Sequence, residues 1–258
     1  QGGVRGVLSL PNGIEPEGVI LYRHGGGYMG PSPTMSGFCT ARLCRESRCA
    51  VFVADYRLAP EFPYPAGVED AARVLAALVD RGAPRERLFV AGDSGGGGLA
   101  TTLVLAAPAH VRLETPTGVI LFSPEVDLRL DQASVTENAS RDILPWNIPT
   151  SAYLHGVDPS DGYVTATEAD LSEFPPTFVA WGGDEMFRDP IRRFVERLDD
   201  AGVPHQAHEV DAMFHVFPIL MPWADASRRI YRDVAAFVAG RLAEAPPLHP
   251  ETIDGIRA

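Results

Sequence analysis

The chain has 258 residues, a formal net charge of −12, 45% hydrophobic residues and 22% charged residues. That size and apolar content suit one α/β domain with insertions, and they exclude collagen, coiled coil and wholesale disorder. The acidic balance argues against nucleic acid or an anionic membrane as the main partner, and no apolar run approaches the roughly 18 residues needed to cross a bilayer.

In chain order, Val4–Leu10 and Val19–Tyr22 read as the first strands. The three cysteines follow, Cys39, Cys44 and Cys49. Their odd number makes no disulfide framework, and their spacing lacks the C-x-x-C pairs of a zinc site. We read them as reduced thiols in or beside one helix. With no visible signal peptide, this points to a reducing, cytoplasmic location. Ala50–Ala54 is the next strand. Val68–Asp80 carries Val68, Ala71, Ala72, Leu75, Leu78 and Val79 on a helical period. Leu88–Ala91 reads as a strand and Leu99–Ala107 as a helix apolar on all sides. Val119–Phe122, Thr177–Trp181 and Gln206–Val210 read as further strands. Ile191–Ala201 and Asp225–Leu242 read as helices, the former with Pro190 in its first turn and Asp189 as its cap. Several strands are continuous apolar runs, as in a parallel sheet covered on both faces. Strand–helix alternation predicts right-handed crossovers and a mostly parallel sheet flanked by helices. We take residues 1–258 as a single domain. The stretch 123–175, rich in Pro, Asp, Ser and Thr, is then a cap or lid insertion within it.

The segment Gly92-Asp93-Ser94-Gly95-Gly96 lies between a predicted strand and a predicted helix. This is G-x-S-x-G in a strand–turn–helix setting, where a tight turn lifts the serine hydroxyl above the sheet and large neighbours would collide with backbone. The helix behind it brings a positive N-terminal end towards developing negative charge. G-D-S-G-G also surrounds the serine of chymotrypsin-like proteases, but those are all-β, disulfide-bonded and carry the serine late in the chain. The phosphate-cradling patterns G-x-G-x-x-G and G-x-x-x-x-G-K-[ST] are absent at this turn.

His24-Gly25-Gly26-Gly27-Tyr28 follows the second strand. Consecutive glycines there suit a backbone that must approach a ligand closely. Gly26 and Gly27, with Gly95 after the serine, are the expected N–H donors of an oxyanion hole. His24 is read as bracing this loop. The α/β-hydrolase order is Ser, then Asp or Glu, then His. Of the histidines, His110 ends a helix, His155 lies in the insertion, His205 and His208 flank or sit in the last strand and His249 belongs to the tail. His215 lies in the loop after that strand and is the expected base. The loop after Thr177–Trp181 offers Asp184, Glu185 and Asp189 as the acid. Asp184 is selected because it stands nearest the strand end after two glycines. Asp127 is the outside alternative.

These segments, with Asp55-Tyr56-Arg57-Leu58-Ala59-Pro60-Glu61, Phe62-Pro63-Tyr64-Pro65-Ala66 and Gly182-Gly183-Asp184-Glu185 followed by Arg188-Asp189, resemble the hormone-sensitive-lipase-like (bacterial type IV) esterases. The resemblance spans roughly residues 18 to 240. It implies an α/β-hydrolase fold and hydrolysis of short- to medium-chain acyl esters through an acyl-enzyme, with no metal or organic cofactor. It assigns the nucleophile to Ser94, the base to His215, the acid to Asp184 and the oxyanion donors to Gly26, Gly27 and Gly95. The Tyr56–Glu61 segment is implied to brace the glycine loop. Edge-strand homodimers are the assembly the resemblance allows. The chain departs from the family at Arg23, where an apolar residue is usual, and at Gly95, where Ala is common. It carries almost none of the usual helical N-terminal cap, which leaves 123–175 as the expected lid. The same residues would also serve a lactone, arylformamide or thioester hydrolase. A non-catalytic pocket that holds a small ligand is the more distant alternative.

Overall fold

A computed structural model describes residues 3–30, 33–110, 115–145, 148 and 150–246. The elements are β1 (Gly6–Ser9), β2 (Val19–Arg23), α1 (Gly37–Ser47), β3 (Ala50–Ala54), α2 (Ala66–Asp80), β4 (Leu88–Asp93), α3 (Gly95–His110) and β5 (Gly118–Phe122). They continue with α4 (Ala133–Glu137), α5 (Thr150–Leu154), β6 (Thr177–Gly182), α6 (Arg188–Asp200), β7 (His205–Val210), α7 (Phe217–Leu220) and α8 (Asp225–Leu242). The strands form one 7-stranded sheet in the order β1-β3-β2-β4-β5-β6-β7. Only β1 runs antiparallel to its neighbour.

Side chains on a strand point alternately to opposite faces, so each apolar run serves two cores. Leu21, Val90, Leu121 and Val179 face the layer formed by α2, α3 and α6. Ile20, Tyr22, Phe89, Ile120 and Phe178 face the layer of α1 and α8. Cys39 and Cys44 lie in α1 and Cys49 just after it. All three are buried free thiols. The continuous apolar character of β2 to β6 is therefore the mark of a sheet covered on both sides. Because β2, β4, β5, β6 and β7 are parallel, the loops at their C-terminal ends gather along one edge, the place where α/β sheets bind ligands.

Three local expectations need correction. β1 is shorter than Val4–Leu10, because only residues 6–9 find partners on β3. Asp189 does not cap α6. That helix already begins at Arg188, and the Asp189 carboxylate instead accepts the backbone N–H of Ser134 at 2.9 Å and pairs with Arg188. α3 begins at Gly95 rather than Leu99, so its first turn is glycine-rich and can lie close under the loop after β2. No helix among the described residues is long and apolar enough to cross a membrane. His249 lies outside the described residues, as do positions 146, 147 and 149 of the insertion.

Candidate active site

β4 delivers Ser94 into a turn where it adopts φ 52°, left-handed backbone that is strained for a residue with a side chain. The glycines on either side are demanded by contact. A Cβ on Gly92 would lie 2.3 Å from the carbonyl oxygen of Gly96, and one on Gly96 2.3 Å from that of Arg23. The Ser94 N–H donates to the carbonyl of Phe122 at 3.0 Å, and its own carbonyl accepts from Gly98 and Glu125 at 3.0 Å each. The turn is thus held by backbone on both sides.

β7 ends at Val210, and the following loop passes through Ala212 and Val216, both at positive φ, to place His215. Its Nε2 lies 2.8 Å from Ser94 Oγ, and both residues are buried. Phe187 packs edge-on against the imidazole with ring centroids 5.0 Å apart. The carboxylate facing the other ring nitrogen is that of Glu185, with Oε1 3.6 Å from Nδ1.

Asp184 is not brought to the imidazole. It is 36% exposed and pairs with Arg141 at 3.5 Å on the outer side of the loop. The reason is the turn after β6. The Asp184 backbone N–H bonds to Met213 O at 3.0 Å, in the loop after β7, while the Glu185 carboxylate folds back to accept the N–H of Gly182 at 2.8 Å. Asp127, the outside alternative, pairs with Arg129 and accepts Thr167 Oγ1 at 2.8 Å, also away from His215.

Glu185 is wholly buried. Its Oε2 accepts Ser123 Oγ at 2.7 Å, and that hydroxyl in turn accepts the N–H of Val216 at 2.9 Å. The remaining atoms, Glu185 Oε1 and His215 Nδ1, are both buried without any other partner among the described residues. At 3.6 Å they are longer than a hydrogen bond, and a small closure would satisfy both. Burial pulls the imidazole pKa down. The Glu185 carboxylate, aided by the charges of Asp142 and Glu125, outweighs it and holds the pKa above the ordinary histidine value.

Two further contacts come from the insertion. Asp142 Oδ1 accepts the N–H of His215 at 2.9 Å, and its Oδ2 accepts that of Met186 at 2.7 Å. Asn138 Nδ2 donates to the carbonyl of Glu185 at 2.9 Å. A single stretch between β5 and β6 therefore ties the loops after β6 and β7 together. Nothing in the local sequence around Asp142 signals this, since these two partners lie more than forty residues away.

The glycine loop after β2 lies on the opposite side of Ser94. Gly26 and Gly27 have φ 115° and 60°, and Gly95 packs against Gly27 and Tyr28. Among the described residues, no protein acceptor takes the N–H of Gly26, Gly27 or Gly95. Asp93 Oδ1 accepts the Gly25 N–H at 3.0 Å and the Tyr22 hydroxyl at 2.6 Å. Burial raises the Asp93 pKa to about 6 despite both bonds. His24 stacks on Tyr56 at 4.5 Å, and Tyr56 donates its hydroxyl to the His24 carbonyl at 2.7 Å. Ala59 N–H donates to Tyr28 O at 2.9 Å. The segment beginning at Tyr56 thus meets the glycine loop at both ends. A cavity of about 420 Å³ opens between the loop, Ser94 and His215, with an apolar wall that includes Leu144, Ile148, Phe187 and Val216.

The model of the α/β-hydrolase fold family matches residues 20–219, so the chain belongs to that family. An acetyl-hydrolase of Streptomyces hygroscopicus is 33% identical over 229 residues, covering 87% of this chain and 76% of its own length. A crystal structure of a hormone-sensitive lipase from a metagenome library superposes with TM-score 0.88 at 32% identity, covering 93% of this chain and 83% of that one. EstE5, crystallised and soaked with p-nitrophenyl butyrate, gives TM-score 0.87 at 30% identity, with coverages of 93% and 85%. The resemblance to hormone-sensitive-lipase-like esterases read from the sequence is thereby shown, and the chain is an enzyme of the esterase class.

Proposed function

We propose that the chain hydrolyses short- to medium-chain carboxylic esters of small molecules through an acyl-enzyme on Ser94. Ser94 Oγ attacks the ester carbonyl carbon while its proton passes to His215 Nε2. The tetrahedral oxyanion accepts N–H bonds from Gly26, Gly27 and Gly95. Collapse expels the alcohol, which takes the proton from Nε2. Water then repeats the sequence and releases the acid. In this reading Glu185, not Asp184, orients the imidazole and stabilises the imidazolium. The observation that carries the reading is the 2.8 Å approach of His215 Nε2 to Ser94 Oγ. The size of the cavity and its apolar wall support acyl chains of modest length. Leu144, Pro145 and Ile148 of the insertion line that cavity, which supports a lid role for 123–175.

Ser94→Ala tests the reading directly. Turnover of p-nitrophenyl butyrate should fall about 10⁴-fold or more, while the melting temperature stays close to that of the parent. Retention of most of the activity would remove Ser94 from the chemistry.

A further inference from the structure

The acyl transfer just described uses one acid of the cavity wall only through its charge, which helps hold the His215 pKa up. Glu125 lies two residues beyond Ser123, is 2% exposed, and lines the cavity together with Ser94 and His215. Its N–H donates to the Ser94 carbonyl at 3.0 Å, so its backbone is fixed against the nucleophile's own turn. The Tyr28 hydroxyl hydrogen-bonds its carboxyl group. Oε1 is buried and finds no partner among the described residues.

A buried carboxyl with an unused acceptor is rare, because leaving such a group unpaired costs about 1–3 kcal/mol or more. Burial has raised the Glu125 pKa to about 7. The other acid in the wall, Asp93, already has Oδ1 occupied by Tyr22 and Gly25. Most of the remaining lining is apolar. An unpaired carboxyl oxygen in a largely apolar pocket, beside the reacting atoms, is an arrangement that orients a ligand through a polar contact.

We propose that Glu125 is a specificity-determining residue. Its Oε1 receives a hydrogen bond from a hydroxyl or amine donor that the substrate carries close to the scissile carbonyl. The enzyme therefore prefers donor-bearing esters to alkyl esters of the same size. This deepens the ester-hydrolase reading and rests on it.

Two size-matched pairs test the proposal by kcat/KM. Ethyl β-hydroxybutyrate against ethyl isovalerate probes the acyl side, and ethylene glycol monobutyrate against propyl butyrate probes the alcohol side. In the parent enzyme the hydroxyl member of at least one pair should be favoured about tenfold, the discrimination expected of one hydrogen bond to a buried acceptor. Glu125→Leu should bring that ratio to one or below. Glu125→Gln keeps a carbonyl acceptor and should restore part of it. Equal rates within both pairs in the parent enzyme would overturn the proposal. So would a Glu125→Leu variant that loses both members of a pair equally, which would make Glu125 a brace for Tyr28 and the glycine loop. If Glu125→Leu fails to fold, the parent and Glu125→Gln ratios still decide. Complete inertness of the parent towards all four esters would instead strike the ester-hydrolase reading itself.

Discussion

The turn that carries Ser94 and the loop that carries Glu185 stand two strands apart on the same sheet edge, yet they are held by different means. Around Ser94 the requirement falls on a few adjacent residues: Gly92 and Gly96 leave no room for a Cβ, although what a Cβ on Gly96 would strike, and the carbonyl and N–H that hold the turn, come from Arg23, Phe122 and Glu125. Around Glu185 the constraint arrives from elsewhere. Ser123, Asn138 and Asp142 reach it or its neighbours across more than forty residues of chain. The first kind of site is written in a short motif. The second exists only once the fold has formed.

The sharpest way to break this comparison is Glu185→Gln. The amide is isosteric, so the loop should persist, but it cannot hold the imidazole in one tautomer or stabilise the imidazolium. By analogy with other triads, kcat should fall about 10³- to 10⁴-fold. The pH profile gives a second readout. The base works only when neutral, so kcat/KM climbs as pH rises through the His215 pKa. Because Glu185 raises that pKa, the acid limb of the parent should have its midpoint above about 6.5, and Glu185→Gln should move it to lower pH. An unmoved limb would detach Glu185 from His215.

This contrast also explains what the sequence could and could not convey. The strands β2 to β6 were legible as apolar runs because both faces are covered, and Ser94 was legible because close backbone approach admits only glycine beside it. The loop of His215 followed from chain order and strand position. The choice between Asp184 and Glu185 was not legible from nearness to the strand end. Adjacent residues in a tight turn point to opposite sides, and which side faces the imidazole depends on how the turn bonds to the loop after β7. The one local hint is the return bond from Gly182 N–H to the Glu185 carboxylate, which a residue three positions on can make and Asp184 does not. Asp142 carried no hint at all, since an acidic residue in a polar insertion is ordinarily solvated surface.

Asp142→Ala should give the next largest effect. It removes two acceptors, one for the N–H of His215 and one for that of Met186, and with them the tie between the loops after β6 and β7. Loss of positional precision of this kind costs about 10- to 100-fold in kcat. Asp142 also contributes to the raised imidazole pKa, so the acid limb should move down here too, by less than in Glu185→Gln. A variant with unchanged kcat would show that the loops hold their geometry without the insertion.

Asp184→Asn should give the smallest effect, and it isolates the comparison most cleanly because it changes the residue next to Glu185 by one charge. The carboxylate is partly exposed and its partner Arg141 is 65% exposed, so water and salt screen the pair and its loss is worth about 0–1 kcal/mol. Turnover should stay within about twofold of the parent, and the acid limb should not move. The steady-state profile of this variant beside that of Glu185→Gln decides which of two adjacent acids speaks to the imidazole. A loss in Asp184→Asn as deep as in Glu185→Gln would mean that the turn rearranges in solution to present the other side chain, and that the return bond from Gly182 does not fix the loop.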